Sequence, residues 1–333
     1  MKPVIKIGTR ESALAVWQAE LVRSLLADQG YTSTLVYIKS EGDIDLETPL
    51  YEMGVQGIFT KSLDSALLNN RIDIAVHSMK DVPTQLPEGI AQAAILKRGN
   101  HKDLFVVNEH LSWPGNPAAD NDLPKAYLDL SHLSSAEDSV HPYLHSKATV
   151  ATSSTRRKAQ WLHRYPAHTM VNLRGNVNTR VQKVAESTWQ GAIFAAAGLE
   201  RIGLRPASAV ELDWMLPAPT QGAIMVVCRT GDIQAVTATL PLNHAETAAC
   251  TGIEKDFLRG LMGGCTTPIG ALAIADKKDI FFRGNILTTD GKQKIEIEKY
   301  VSKEDVAGFG LRMAQQILSN GGREIADTIR NAQ

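Results

Sequence analysis

Residues 139–185 include no aspartate or glutamate, yet they hold Lys147, Arg156, Arg157, Lys158, Arg164, Arg174, Arg180 and Lys183. The formal net charge of -1 conceals this local excess of cations. Guanidinium groups pair with carboxylates and phosphates through two parallel hydrogen bonds, so such a cluster suits a polycarboxylate or phosphate ligand. The plain alternative is a solvated basic face offset by acids elsewhere. Position favours a site: Arg156, Arg157 and Arg174 follow predicted strands, and ligands of open α/β sheets bind beyond the carboxyl ends of strands. Nucleic acid fits less well, because the chain as a whole is not basic.

A second polar cluster, His77-Ser78-Met79-Lys80-Asp81-Val82-Pro83, follows an apolar run at residues 72–76. An aspartate there is either a turn residue or a catalytic carboxylate. Its neighbours His77, Ser78 and Lys80 favour chemistry, whereas His77 taken alone reads as a hydrogen-bonded structural histidine. The third candidate is Cys265, in Gly263-Gly264-Cys265-Thr266-Thr267-Pro268, where a glycine loop exposes a thiol as a nucleophile or attachment point. Cys228, in an apolar strand, reads as core. With 3 cysteines and no CxxC pair, neither a disulfide framework nor a cysteine zinc site is expected, and no metal is predicted.

The elements that must position these groups alternate. A strand at residues 4–7 turns through Gly8-Thr9-Arg10-Glu11-Ser12 into a helix whose apolar positions Leu14, Trp17, Leu21 and Leu25 recur at helical spacing. A second strand at 35–38 completes a βαβ unit, which implies a parallel sheet. A helix at 60–69 and strands at 72–76, 90–96 and 104–107 complete a first lobe. Residues 108–146 read as a long surface excursion. The pattern then restarts with a strand at 148–151, a turn at Thr152-Ser153-Ser154, and a helix at 156–164. A strand at 170–173 and a helix at 177–186 follow. The same device, a small residue and Thr followed by hydroxyls opening a helix, thus occurs twice, as a weak sign of repetition. After residue 243 a helix, a glycine loop and short strands read as a small α+β domain. With 333 residues, two or three domains are expected.

Together these segments resemble the porphobilinogen deaminase family. The matching motifs are Gly8-Thr9-Arg10-Glu11-Ser12, the run from Asp73 to Thr84, Thr152-Ser153-Ser154-Thr155-Arg156-Arg157, Leu173-Arg174-Gly175-Asn176-Val177-Asn178-Thr179-Arg180, Gln221-Gly222-Ala223 and Gly263-Gly264-Cys265. The resemblance implies two periplasmic-binding-protein-like α/β lobes around a cleft, plus a small C-terminal α+β domain. The expected bounds are 1–107 with 222–242, 108–221, and 243–333. It also implies a dipyrromethane cofactor in thioether linkage to Cys265, onto which four porphobilinogen molecules are condensed in turn. Ammonia is released at each step, and hydrolysis then frees the linear tetrapyrrole. Asp81 is the implied catalytic carboxylate, stabilising the azafulvene cation left when ammonia departs. Arg10, Ser12, Ser78, Lys80, Ser154, Arg156, Arg157, Arg174, Gly175, Asn176 and Arg180 are the implied cofactor and substrate contacts. His77, Phe59, Lys61 and Gln221 are further candidates.

The sequence departs from the family at Glu52 and Gln56, where bacterial relatives commonly carry lysines, so contacts there do not carry over. The excursion at 108–146 is longer than usual. A two-lobed anion-binding protein without catalysis is the rival reading, though it has no need of Cys265 in a glycine loop. No run approaches the ~20 apolar residues of a membrane span, and residues 1–6 lack an apolar leader core. A monomeric cytoplasmic enzyme acting on a small molecule, without nucleic acid or membrane partners, is expected.

Overall fold

The computed structural model describes residues 3–40, 59–110, 147–262 and 267–331. Cys265, Glu52, Gln56 and residues 111–146 of the excursion lie outside the described residues.

The first lobe is built on strands β1 (Ile5–Thr9), β2 (Ser33–Tyr37), β3 (Ile74–Ser78) and β4 (Ile90–Ile95), with helices α1 (Ala13–Asp28) and α2 (Lys61–Leu68). The second lobe contains β5 (Asp103–Val107), β6 (Thr149–Ala151), α3 (Thr155–Arg164), β7 (Thr169–Val171), α4 (Val177–Glu186), β8 (Gly191–Ala195), α5 (Ala196–Arg201) and β9 (Val210–Glu211). The chain then returns to the first lobe with β10 (Ile224–Arg229) and α6 (Ile233–Thr239).

The sheet orders are β2-β1-β3-β10-β4 and β7-β6-β8-β5-β9. They are the same design. In each, the first two lobe strands and the next are parallel, and one strand crosses over from the other lobe to run antiparallel in fourth place. The strand at 104–107, expected to complete the first lobe, is therefore corrected: β5 pairs with β8 and β9 in the second sheet. Its sequence is uniformly apolar after Asp103, as any strand covered on both faces must be, so periodicity does not reveal which sheet receives it.

Apolar side chains bury both faces of each sheet. Val22, Leu26, Ile74, Val76 and Val226 pack on one side of the first, and Leu63, Leu67, Ala75, Met79 and Met225 on the other. Helix α1 buries Ala15, Gln18, Ala19, Val22 and Leu26, and Leu21 and Leu25 of the apolar stripe pack partly buried against the same core. The small alanines allow the helix to lie close on the sheet. Trp17 instead packs its ring 5.6 Å from the Arg201 guanidinium of the second lobe.

The C-terminal domain is an antiparallel meander of β11 (Ile269–Ala275), β12 (Asp279–Leu287) and β13 (Lys294–Ser302). Helices α7 (Ala245–Gly260), α8 (Phe309–Ile317) and α9 (Arg323–Asn331) cover one face over a core of Ile253, Phe257, Ile280, Phe282 and Ile317. No helix among the described residues is long and apolar enough to cross a membrane.

Candidate functional site

Strand β3 runs two residues further than its sequence predicted, so His77 and Ser78 belong to it, and a single 3-10 turn, Met79–Asp81, ends it. His77 is buried, its Nε2 has no hydrogen-bond partner among the described residues, and burial together with the nearby Arg10 charge brings the imidazole down to about 4. The ring is neutral at pH 7. The Ser78 hydroxyl accepts from Gln18 Nε2 at 2.8 Å, which ties the strand end to α1. Lys80 reaches Gln221 Oε1 at 3.5 Å. Burial, and then repulsion from Arg157, lowers the Lys80 ammonium to about 8 against the opposing pull of Asp81 and Asp103. Arg10, just after β1, lies 4.3 Å from the centroid of the Phe59 ring. Ser12 caps α1, its hydroxyl accepting from Ala15 N at 3.4 Å.

The second lobe repeats this construction. Ser154 caps α3, accepting from Arg157 N at 3.4 Å, and so sets the first helical turn that carries Arg156 and Arg157. Both arginines are buried beside the positive end of the helix dipole, an unfavourable place for cations. Asp103 compensates. It is fully buried at the head of β5, and its Oδ2 accepts from Arg156 Nη1 at 2.7 Å. Its Oδ1 accepts from Arg157 Nη2 at 2.8 Å, Arg157 Nε at 3.0 Å and Gln221 Nε2 at 2.9 Å. Burial alone would raise the Asp103 pKa, but the charges of Arg156 and Arg157 outweigh it and hold the carboxyl far below the usual carboxylate range.

Between β7 and α4, Gly175 has φ +114°, and a Cβ there would meet Thr179 Cγ2 at 2.9 Å. Asn176 caps α4 by accepting from Thr179 N at 2.9 Å. The turn places Arg174, which is buried, beside Arg180, whose Nε donates to the Gly175 carbonyl at 2.7 Å. Burial, with repulsion from Arg157 and Arg174, lowers the Arg180 guanidinium to about 10, and the Asp81 charge opposes the shift.

These interactions bring together Lys80, Asp81 and Gln221 with Arg156, Arg157, Arg174 and Arg180 from both lobes. Arg10, Phe59 and His77 form an adjoining group on the first lobe. Ser12, Ser154 and Asn176 serve as helix caps at its edges. Lys61 is exposed at the start of α2, and among the described residues no hydrogen bond or ion pair ties it to the others. Sequence reading overlooked Asp103 and Gln18. The available signal for Asp103 was a lone acid heading an otherwise apolar strand. It also overlooked Glu254, a fully buried carboxylate on α7 that accepts from Arg98 Nη1 at 2.6 Å, Thr220 N at 2.6 Å and Ala273 N at 2.7 Å.

Solved structures similar to this chain include the periplasmic VFT2 domain of Bordetella pertussis BvgS, at 13% identity over 74% of this chain and 92% of that one, with a TM-score of 0.38. A YaeC-family lipoprotein of Enterococcus faecalis V583 matches at 13% identity over 73% and 93%, with a TM-score of 0.37. The ligand-binding component of an ABC-type import system from Staphylococcus aureus matches at 15% identity over 76% and 72%, with a TM-score of 0.33. The two-lobed architecture rests on the sheets themselves. The family models are decisive. That of the porphobilinogen deaminase dipyromethane cofactor binding domain matches residues 5–237, and that of the porphobilinogen deaminase C-terminal domain matches residues 248–319. The chain therefore belongs to the porphobilinogen deaminase family, transferases of tetrapyrrole synthesis that condense porphobilinogen head to tail on a dipyrromethane cofactor, releasing ammonia.

Proposed function

We propose that the chain acts as a hydroxymethylbilane synthase in which Asp81 carries the bond-making chemistry and Cys265 holds the cofactor through a thioether. Arg10, Arg156, Arg157, Arg174 and Arg180 receive the carboxylates of cofactor and substrate. Ser12, Ser78, Lys80, Ser154, Gly175 and Asn176 serve as polar partners or shape the turns that present them. The observation that carries this reading is the meeting of Asp81 with cations of both lobes: Lys80 stands beside it, and Arg180 lies within its electrostatic reach from the opposite lobe.

The donor set fits a dipyrromethane. Each of its pyrroles carries an acetate and a propionate, and an excess of guanidinium groups over carboxylates surrounds Asp81. When bound, the cofactor supplies the pyrrole carbon to which the first substrate unit is joined. The chain's own groups do the rest. Arginines neutralise the charge that each added unit brings, at close range where such pairs are strong. The Asp81 carboxylate faces the cation left when ammonia departs, and accepts the proton lost as the new pyrrole regains aromaticity. The reading takes the protein as a cytoplasmic monomer acting on free porphobilinogen. It also takes the three units as domains near the bounds expected from sequence, with residues 103–107 moved to the second lobe.

Intact-mass measurement of the full chain tests the attachment. A covalent two-pyrrole adduct is expected, absent in Cys265→Ser, which should also be inactive. An unmodified mass for active protein would overturn the cofactor assignment.

A further inference from the structure

Asp103 has no place in the mechanism above, yet its carboxylate accepts four side-chain hydrogen bonds within the site. The orientation of the two arginines does not depend on it alone. Arg156 Nη1 also donates to the Leu216 carbonyl at 2.8 Å, and Arg157 Nη1 donates to the Ile193 carbonyl at 3.0 Å. Gln160, on the same helix, holds the Leu216 segment through its backbone N and O, each at 2.8 Å. Among the described residues, what only Asp103 contributes to these guanidinium groups is a negative charge. Through Gln221 Nε2, at 2.9 Å, it is also linked to the amide whose Oε1 meets Lys80.

We infer that Asp103 is a resident counter-carboxylate that weakens the grip of Arg156 and Arg157 on the ligand's carboxylates, so that a growing polyanionic chain can be bound, moved and released. The inference rests on the proposed assignment of these arginines to the ligand. A buried guanidinium without a counterion holds any incoming carboxylate strongly, because neither partner is screened by water. With Asp103 already paired to both, an incoming carboxylate shares their charge instead of supplying all of its neutralisation. Each condensation adds two carboxylates, so a site of unmoderated arginines would bind the product more tightly with every step. Tighter binding of ground states does not speed a reaction and slows release. Asp103 is thus a positioning and affinity-setting residue, acting through the arginines.

The test compares wild-type holoprotein with Asp103→Asn, Arg156→Gln, Arg157→Gln and the double variant of Asp103→Asn with Arg156→Gln. Binding of mellitate, a rigid aromatic polycarboxylate, is measured by calorimetry at several salt concentrations, alongside KM and kcat for porphobilinogen. Intact mass checks that the cofactor content is unchanged. Asp103→Asn should bind mellitate about tenfold tighter at low salt, equivalent to about 1.4 kcal/mol, with a lower KM and a lower kcat. Its salt dependence should be steeper than that of wild type. If Asp103→Asn does not fold, the double variant, which carries no added net charge, is compared with Arg156→Gln alone and should bind mellitate about tenfold tighter. Binding that is equal or weaker once Asp103 is neutralised would overturn the inference. Should Arg156→Gln and Arg157→Gln each leave mellitate binding unaltered, the arginine assignment itself fails, a result distinct from failure at Asp103.

Discussion

Asp81 and Asp103 are both carboxylates among arginines, yet their surroundings differ in the respect that matters for chemistry. The Asp103 oxygens are saturated by Arg156, Arg157 and Gln221 in a fully buried pocket. Such a group stays ionised and stationary and has no capacity left to take a proton. Asp81 is half-buried, and among the described residues no hydrogen bond is committed to its carboxylate. It can therefore approach a substrate cation and exchange a proton with it. Asp81→Asn keeps the side-chain size and removes the charge. Turnover should fall ~10²- to 10⁴-fold. Because the side chain anchors nothing, the melting temperature should stay within a degree or two of wild type (on the order of ±0.5 kcal/mol or less). Turnover within a few-fold of wild type would reduce Asp81 to a turn residue. His77, neutral and with Nε2 unsatisfied among the described residues, would then be the next group to test.

At the scale of elements, the site is made from the first turns of helices. Ser12, Ser154 and Asn176 cap α1, α3 and α4, and each cap fixes where the following residues stand. Gly175 is the most demanding of these positions. A side chain at φ +114° is strained, and its Cβ would press on Thr179, the residue that Asn176 caps. Gly175→Ala should cost about 1–3 kcal/mol and shift the start of α4, displacing Arg174 and Arg180 together. Thermal unfolding should show a lowered midpoint, and KM for porphobilinogen should rise more than kcat falls. A variant with unchanged midpoint and KM would show that the turn tolerates a side chain and does not set these arginines.

Across the whole molecule, the two lobes exchange strands through crossovers that touch, with Gly99 N donating to the Gly222 carbonyl at 3.1 Å. The C-terminal domain grips both crossovers with one side chain. Glu254 accepts from Arg98 on the first and from Thr220 N on the second, while Ala273 N holds the carboxylate from its own domain. Arg98 Nε donates in turn to the Gln221 carbonyl at 2.8 Å, so the clamp borders the site. Removing one partner of a buried pair leaves the other charge uncompensated. Glu254→Gln should therefore cost about 3–5 kcal/mol. Denaturant unfolding of the holoprotein would measure this, and a loss below about 1 kcal/mol would show that the clamp is incidental.

The linear chain by itself determined the family, the α/β alternation and most of the residues proposed for the site. These are local properties: motifs such as His77-Ser78-Met79-Lys80-Asp81 are contiguous, apolar runs announce strands, and a stretch free of acids is visible by inspection. It did not reveal the partner of that stretch. Asp103 lies more than fifty residues before Arg156, in a strand whose all-apolar pattern suits either sheet, and only the crossover of β5 brings them together. Of the apolar stripe on α1, Leu21 and Leu25 meet the core of their own lobe while Trp17 faces Arg201 of the other, a division that helical spacing alone does not show. Glu254 was invisible for the same reason. A buried carboxylate is defined by the donors that converge on it, and those donors come from three distant segments that only the tertiary structure assembles.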